Sequence, residues 1–559
     1  MKKQLPIGIS DFKELIEDGY VYVDKTLFIQ ELIEIDAKVV LIPRFRRFGK
    51  TLNLSMLRYF FEKSKEDASF LFYDLKIWEN EAYRMLAGQF PVIFFSLKDV
   101  KHLSWHEAFK SLRRLIADEF DRHSYLKEGE TLSIKEKELF HKILFEENDQ
   151  SLIERSLFYL TSWLHRFHNK RVILLIDEYD TPAHASYVNG YYDILIPFIR
   201  NWLSAGLKDN SSLERGVLTG ILRIAKESIF SGLNNIATCT VMHERFKDKF
   251  GLLESEVTEL LKMSGLEHLG PEIQKWYNGY RVGSCTGIYN PWSVLQCIAE
   301  NGALGSYWVN TSDNALMKQL IIQGGEDLKA DLEELLRGNA IEKNIEEGIV
   351  FPDLEKSPNA VWSLLLFSGY LTLDAPPSYD KPSLLRIPNL EVNNLYHSMI
   401  SNWFEKTIHM SNYHLLLNSL INGDIATFSQ IFQEFLLSSV SVFDLSFDEP
   451  EKLYHAFILG MLIGLKDRYE VQSNRESGYG RYDVMLIPKN QDDLGIIMEF
   501  KKVGRFENAD LETAVLSALK QIEDKHYTQG LLNRGIKRIL HLGLAFEGKK
   551  VLIRSKFND

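Results

Sequence analysis

Three short runs constrain the fold more than any other feature: residues 38–42 (KVVLI), 91–97 (PVIFFSL) and 171–177 (RVILLID) are almost continuously apolar and β-branched or aromatic. A strand that lacks hydrophobic/polar alternation is buried on both faces, as in a parallel sheet covered by helices. The segments between and after them, such as 51–62 (TLNLSMLRYFFE), 151–169 and 197–207, carry helical spacing, and strands alternating with helices give an α/β fold. A chain of 559 residues exceeds what one core serves, so two to four domains are expected. The sequence divides into an α/β module over 1–253, a mostly helical region over 254–443 with loops at 279–291 and 374–388, and a last module over 444–559. In that last module a helix at 452–466, strands at 481–487 and 495–501, a helix at 509–526 and strands at 538–545 and 550–554 outline an α/β/α sandwich.

Chemistry enters where the first strand ends. Residues 44–52 (RFRRFGKTL) stand between a strand and a helix, so a phosphate there meets backbone N–H groups and the positive end of the helix dipole. Gly49, Lys50 and Thr51 match the end of G-x-x-x-x-G-K-[ST]: Lys50 is placed for the β/γ-phosphates of ATP and Thr51 for Mg²⁺. Arg44 occupies the first glycine position, so the loop must meet phosphate differently, with Arg46 and Arg47 as candidate helpers. The run at 172–180 (VILLIDEYD) ends in carboxylates, Asp177 placed to hold magnesium and Glu178 to polarise an attacking water. At 218–226 (LTGILRIAK), Thr219 is a candidate contact to the γ-phosphate and Arg223 to developing charge; a core strand running into a helix accounts for the same run. Asp24 and Lys25 are candidates for the adenine side of the site.

A second constellation lies near the C-terminus. Asp483 opens an apolar strand, and in 496–501 (IIMEFK) the period of two sends Glu499 and Lys501 to one face. Asp483 and Glu499 form a candidate site for Mg²⁺ or Mn²⁺, with Lys501 orienting water or stabilising the charge of a phosphodiester in transition. Glu476 adds a third carboxylate upstream, and Gln521 and Tyr527 are candidate contacts to a nucleic-acid backbone. His455 is placed on the helix before these strands, and Trp276, Tyr277 and Tyr280 read as core.

These segments together resemble bacterial AAA-ATPase-like proteins that carry a PD-(D/E)XK nuclease-superfamily domain at the C-terminus. The resemblance runs through residues 5–12 (LPIGISDF), 22–26 (YVDKT), 46–51 (RRFGKT), 176–182 (IDEYDTP), 230–235 (FSGLNN), 276–281 (WYNGYR) and 289–293 (YNPWS). It continues at 307–312 (YWVNTS), 367–372 (FSGYLT), 387–392 (IPNLEV), 474–483 (NRESGYGRYD) and 499–501 (EFK). It implies ATP at Lys50 and Thr51, the acidic pair Asp177 and Glu178, and a nuclease centre at Asp483, Glu499 and Lys501. Where such proteins more often read Arg-Pro-Arg-Arg before the glycine, this chain has Phe45 in place of proline.

The charge balance of 65 basic against 77 acidic residues, net −12, argues against a chain coated in nucleic acid, so any binding surface is local. From Gly495 onward Lys and Arg predominate, which a polyanion partner or a solvated face would each explain. Three scattered cysteines supply neither a disulfide framework nor a zinc site, the N-terminal MKKQLPIGIS has no apolar stretch behind its lysines, and the longest apolar run, 456–465, is half a membrane span. The expectation is a cytoplasmic protein without a membrane partner, export as an effector remaining open. The first function expected is an ATP-regulated, metal-dependent nuclease acting on DNA or RNA; the alternative is a non-catalytic ATP-dependent switch or scaffold that binds nucleic acid or protein. Oligomeric state and ATP hydrolysis are left open by the sequence.

Overall fold

The computed structural model describes residues 4–146, 149–224, 236–308, 326–336, 338–348, 351–355, 357–378, 381–396, 398, 410–439, 458, 461–465, 467–473, 476–477, 480–503, 510–547 and 550–558. The chain forms two compact units: Met1–Leu320 with Gly338–Asn393, and Ile321–Arg337 with Asn394–Asp559. The stretch 254–443 therefore contributes to both.

The first unit is built on β1 (Val39–Pro43), β2 (Val92–Ser96), β3 (Val172–Asp177), β4 (Leu213–Gly220) and β5 (Ile236–Thr238), in the order β2-β3-β4-β1-β5. All neighbours run parallel, as the apolar runs require. Every residue of β1 and β3 is buried. The helix Lys50–Phe61 covers this sheet with Leu54, Met56, Leu57, Phe60 and Phe61, each worth about 1.5–3 kcal/mol when fully buried. Because β4 lies between β1 and β3, the register sets Thr219 beside Ile42 and Leu218 beside Ile176. The C-terminal ends of three strands thus converge where β1 hands over to its helix.

Two regions read as loops contain paired strands. Gly279–Pro291 holds the hairpin β6 (Tyr280–Val282) and β7 (Cys285–Ile288). The segment 374–388 supplies β10 (Ser383–Arg386), which pairs with β8 (Ile341–Lys343) and β9 (Thr372–Leu373). These strands are two to four residues long, too short for period-2 alternation to show against their Gly- and Pro-rich surroundings. The expected helix at 151–169 is two helices, Gln150–Glu154 and Ser156–His168, meeting at Arg155.

In the second unit, β11 (Tyr469–Ser473), the short ladder β12 (Glu476–Ser477) and β13 (Gly480–Arg481), then β14 (Val484–Pro488), β15 (Gly495–Lys502), β16 (Ile539–Glu547) and β17 (Lys550–Asn558) follow in order. The main sheet runs β11-β14-β15-β16-β17, and β15–β16 is its one parallel pair. Ile496, Met498 and Phe500 point to a core shared with helices Met410–Asn422 and Ile425–Ser439. Ile497 points the other way, to Ile522 of helix Leu511–Asp524. The expected α/β/α arrangement follows from this alternation. Most of the helix expected at 452–466, His455 included, lies outside the described residues.

Candidate nucleotide site and candidate nuclease centre

At the first site Gly49 caps the helix Lys50–Phe61 with φ near 80°, a left-handed conformation that glycine adopts without strain. The Lys50 side chain folds back over the loop, its Nζ donating to the carbonyls of Arg44 (3.2 Å) and Phe45 (2.9 Å), and burial lowers its pKa. Thr51 Oγ1 donates to Asp177 Oδ2 at 2.8 Å and Thr219 Oγ1 donates to Asp177 Oδ1 at 2.6 Å. One fully buried carboxylate thereby joins the ends of β3 and β4 to the start of the helix, and its desolvation raises its pKa. Glu178 has φ near 50° and accepts a hydrogen bond from Thr181 Oγ1 at 3.1 Å. Arg223 is half-buried three residues beyond β4, and residues 225–235, with the FSGLNN segment, lie outside the described residues.

The arginines divide by environment. Arg44 is buried, its guanidinium donating to the carbonyls of Pro43, Cys239, Arg245 and Phe246 and lying 5.2 Å from the Phe250 ring centre. It replaces the missing glycine with an anchor between the loop and the chain after β5. Phe45 is likewise buried, against Phe48 and Tyr280. Arg46 is half-buried and its Nε has no hydrogen-bond partner among the described residues, while exposed Arg47 lies 4.5 Å over the ring of Trp292. A helix N-terminus, a lysine held over the loop and a buried unpartnered guanidinium nitrogen fit a polyphosphate.

Asp24 and Lys25, expected on the adenine side, make contacts within the fold. The Asp24 carboxylate accepts from Thr26 N, Thr26 Oγ1 and Lys76 N, and Lys25 pairs with Glu256 at 2.7 Å. Tyr277 and Tyr280 are core residues, as expected. Sequence reasoning gave no role to Asp180, which is buried and accepts from the N–H groups of Ile221 (2.9 Å) and Leu222 (2.8 Å), fixing the chain that leaves β4.

At the second site Asp483 precedes β14 and accepts from Phe500 N at 2.7 Å, which locks it against the β15 residue between Glu499 and Lys501. Glu499 is 2% exposed. Its Oε1 accepts from Lys501 Nζ at 3.4 Å and from Gln521 Nε2, while its Oε2 is buried without a partner among the described residues. Burial, and then the charge of Asp483, push its carboxyl up to about 7. Lys501 Nζ also donates to Gln521 Oε1 at 2.7 Å. The close helix approach that delivers Gln521 needs Gly543, paired with Glu499 across the sheet; a Cβ there would stand 2.7 Å from the Val515 carbonyl.

Gln521 therefore sits inside the cluster, touching both Glu499 and Lys501. The sequence carried a signal for this: Gln521 follows Ala514 and Ala518 on the buried stripe of its helix, where a polar residue needs partners. Tyr527 is buried against Tyr482, which corrects its expected contact with a nucleic-acid backbone. The backbone of Glu476 pairs with Arg481, but its side chain lies outside those described. Of the basic residues toward the C-terminus, Arg554 pairs with Glu512 and Lys556 with Glu523, the solvated-face reading of that charge.

Among the described residues no group of three or more His, Cys, Asp or Glu side chains is set to hold a metal ion. The donor set is the pair Asp483 and Glu499, and the unpartnered Oε2 of Glu499 fits a hard cation, which takes oxygen ligands. No helix among the described residues is long and apolar enough to cross a membrane.

Comparison with known proteins finds a family for each end of the chain. Residues 6–230 match the model of the AAA-ATPase-like family, described as a predicted AAA-ATPase, and residues 449–556 match that of the PD-(D/E)XK nuclease superfamily. The chain joins an AAA-ATPase-like domain to a PD-(D/E)XK nuclease-superfamily domain. The AAA-ATPase-like match takes in Lys50, Thr51, Asp177 and Thr219, and the nuclease-superfamily match takes in Asp483, Glu499, Lys501 and Gln521. The chain is also 27% identical to a protein of Azotobacter chroococcum mcd 1 described as an uncharacterized protein in the vnfD 5′ region, with 98% of this chain and 96% of that protein covered.

Proposed function

We propose that the chain is an ATP-binding, divalent-metal-dependent nuclease in which the nucleotide state of the AAA-ATPase-like domain regulates phosphodiester cleavage by the PD-(D/E)XK domain. The observation that carries the reading is Glu499: a buried carboxylate with one oxygen unpartnered, beside Asp483 and held by Lys501 and Gln521. An unsatisfied buried acceptor costs about 1–3 kcal/mol, a cost that a cation bound at Oε2 would offset.

In this reading Asp483 and Glu499 hold Mg²⁺ or Mn²⁺, which supplies Lewis acidity toward the phosphodiester when bound. Gln521 fixes Lys501 Nζ beside Glu499, so the ammonium is poised to orient water and meet charge on the phosphate oxygens. At the other site Gly49, Lys50, Arg46 and Arg47 receive the phosphates of ATP. Thr51 and Asp177 would hold its magnesium, Glu178 would polarise an attacking water, and Thr219 and Arg223 would meet the γ-phosphate and developing charge. The hydroxyls of Thr51 and Thr219 hold Asp177 in place before nucleotide arrives. Cleavage of labelled single- and double-stranded DNA and RNA with Mg²⁺ or Mn²⁺, with and without ATP, tests the proposal. Wild type should cut at least one substrate, Asp483→Ala none, and Lys50→Ala should lose the response to ATP. ATP binding without cleavage of any substrate would leave a non-catalytic switch.

A further inference from the structure

Phe45 and Phe48 are buried, with ring centres 5.1 Å apart and 4.9 and 5.0 Å from that of Tyr280. They pin the phosphate loop on both sides of Arg46 and Arg47, which form its tip. At Arg47 the backbone takes φ near 63°, a left-handed conformation that strains a residue with a side chain and that glycine would adopt freely. Strain of this kind persists where the surroundings hold the residue in place.

What holds Arg47 is Trp292. The arginine is exposed, and among the described residues no hydrogen bond or ion pair engages its N–H groups. Its guanidinium carbon lies 4.5 Å from the centre of the Trp292 ring. A guanidinium carries its five N–H donors around a planar rim, so contact with one ring leaves an edge free to grip phosphate oxygens in pairs.

The ring is fixed independently of Arg47. Trp292 N donates to Oδ1 of Asn290, the buried cap of helix Pro291–Ala299, at 3.0 Å, and Trp292 Nε1 donates to the Tyr307 carbonyl at 3.3 Å. An arginine free in solvent gives up rotamer freedom when it closes on phosphate. One that already rests on a fixed ring has given up part of it before the ligand arrives.

We propose that Trp292 is a positioning residue of the triphosphate site, its fixed indole holding Arg47 with an N–H edge open to the polyphosphate of a nucleotide. The inference rests on the nucleotide-binding reading above. It extends that site past residues 6–230, the span of the AAA-ATPase-like match, into the helix that opens at Pro291.

Calorimetry on the full chain with MgATP, and with magnesium tripolyphosphate, which has no base, tests this. Arg47→Ala should weaken both ligands by about tenfold. Trp292→Leu should weaken both by about 2- to 10-fold, the cost of ordering a free arginine, and Trp292→Phe, which keeps an aromatic face, should recover most of that loss. Added to Arg47→Ala, Trp292→Leu should change MgATP affinity by less than about 2-fold, because the ring acts through the arginine. Equal weakening with and without Arg47 would make Trp292 a structural residue and overturn the proposal. Weakening confined to ATP would assign the ring to the base and overturn it too. Arg47 is exposed, so Arg47→Ala keeps the test open if a tryptophan variant fails to fold: unchanged affinity in that variant overturns the positioning role. Wild type that binds neither ligand overturns the nucleotide reading itself, an outcome read before any variant is compared.

Discussion

Glu499→Gln in metal-free protein should remove a pH dependence of stability that the wild type carries. Burial and the Asp483 charge move the Glu499 carboxyl from its ordinary 4.5 to about 7. The folded state therefore binds the proton more tightly than the unfolded chain, and stability falls as pH rises between those values. Below pH 4 both states are protonated and above pH 8 both are ionised, so the loss is confined to that window. A displacement of about 2.5 pH units is worth about 3 kcal/mol. Glutamine cannot ionise and keeps an oxygen for Lys501 Nζ and Gln521 Nε2. Its NH₂ group takes the place of the unpartnered Oε2, at a pH-independent cost of about 1–3 kcal/mol. The variant should thus be less stable than wild type at pH 5 and close to it at pH 8. Urea unfolding in EDTA at pH 5, 6, 7 and 8, scored by pulse proteolysis so that loss of the C-terminal unit is read alone, measures this. Mg²⁺ should stabilise wild type increasingly through pH 7, because binding needs the ionised carboxylate, and should leave the variant unmoved. Equal pH slopes in the two proteins would refute the reasoning.

Lys50→Ala should weaken ATP binding by at least about tenfold in calorimetry, since a charge-assisted contact is worth roughly 1.5–3 kcal/mol. Gly279→Ala should lower stability by more than about 1 kcal/mol, because Gly279 has φ near 106° and an added Cβ would strike the Pro388 carbonyl; thermal unfolding reads it. Arg554→Ala should change stability by less than about 1 kcal/mol, because its partner Glu512 is as exposed as it is. The same variant should leave the affinity of the chain for a DNA or RNA oligonucleotide unaltered in a filter-binding assay.

What the sequence made legible is what periodicity and local chemistry encode. Buried parallel strands announce themselves as β1, β2 and β3 do, by apolar runs without alternation, and β15 placed Glu499 and Lys501 on one face by its period of two. The glycine-lysine-threonine turn was readable because the helix that follows starts at Lys50 itself. What stayed hidden depends on partners distant in the chain. Arg44 looked like a defective phosphate loop until carbonyls about 200 residues away claimed its guanidinium. Gln521 and Glu391 show the same limit in two ways. Gln521 interrupts an apolar helical stripe, so its need for partners could be read locally although their identity could not. Glu391 sits in the first turn of a short helix that opens at Leu390, and its partners Ser293 and Trp308 lie 98 and 83 residues away. A buried carboxylate of that kind is specified by tertiary contacts alone.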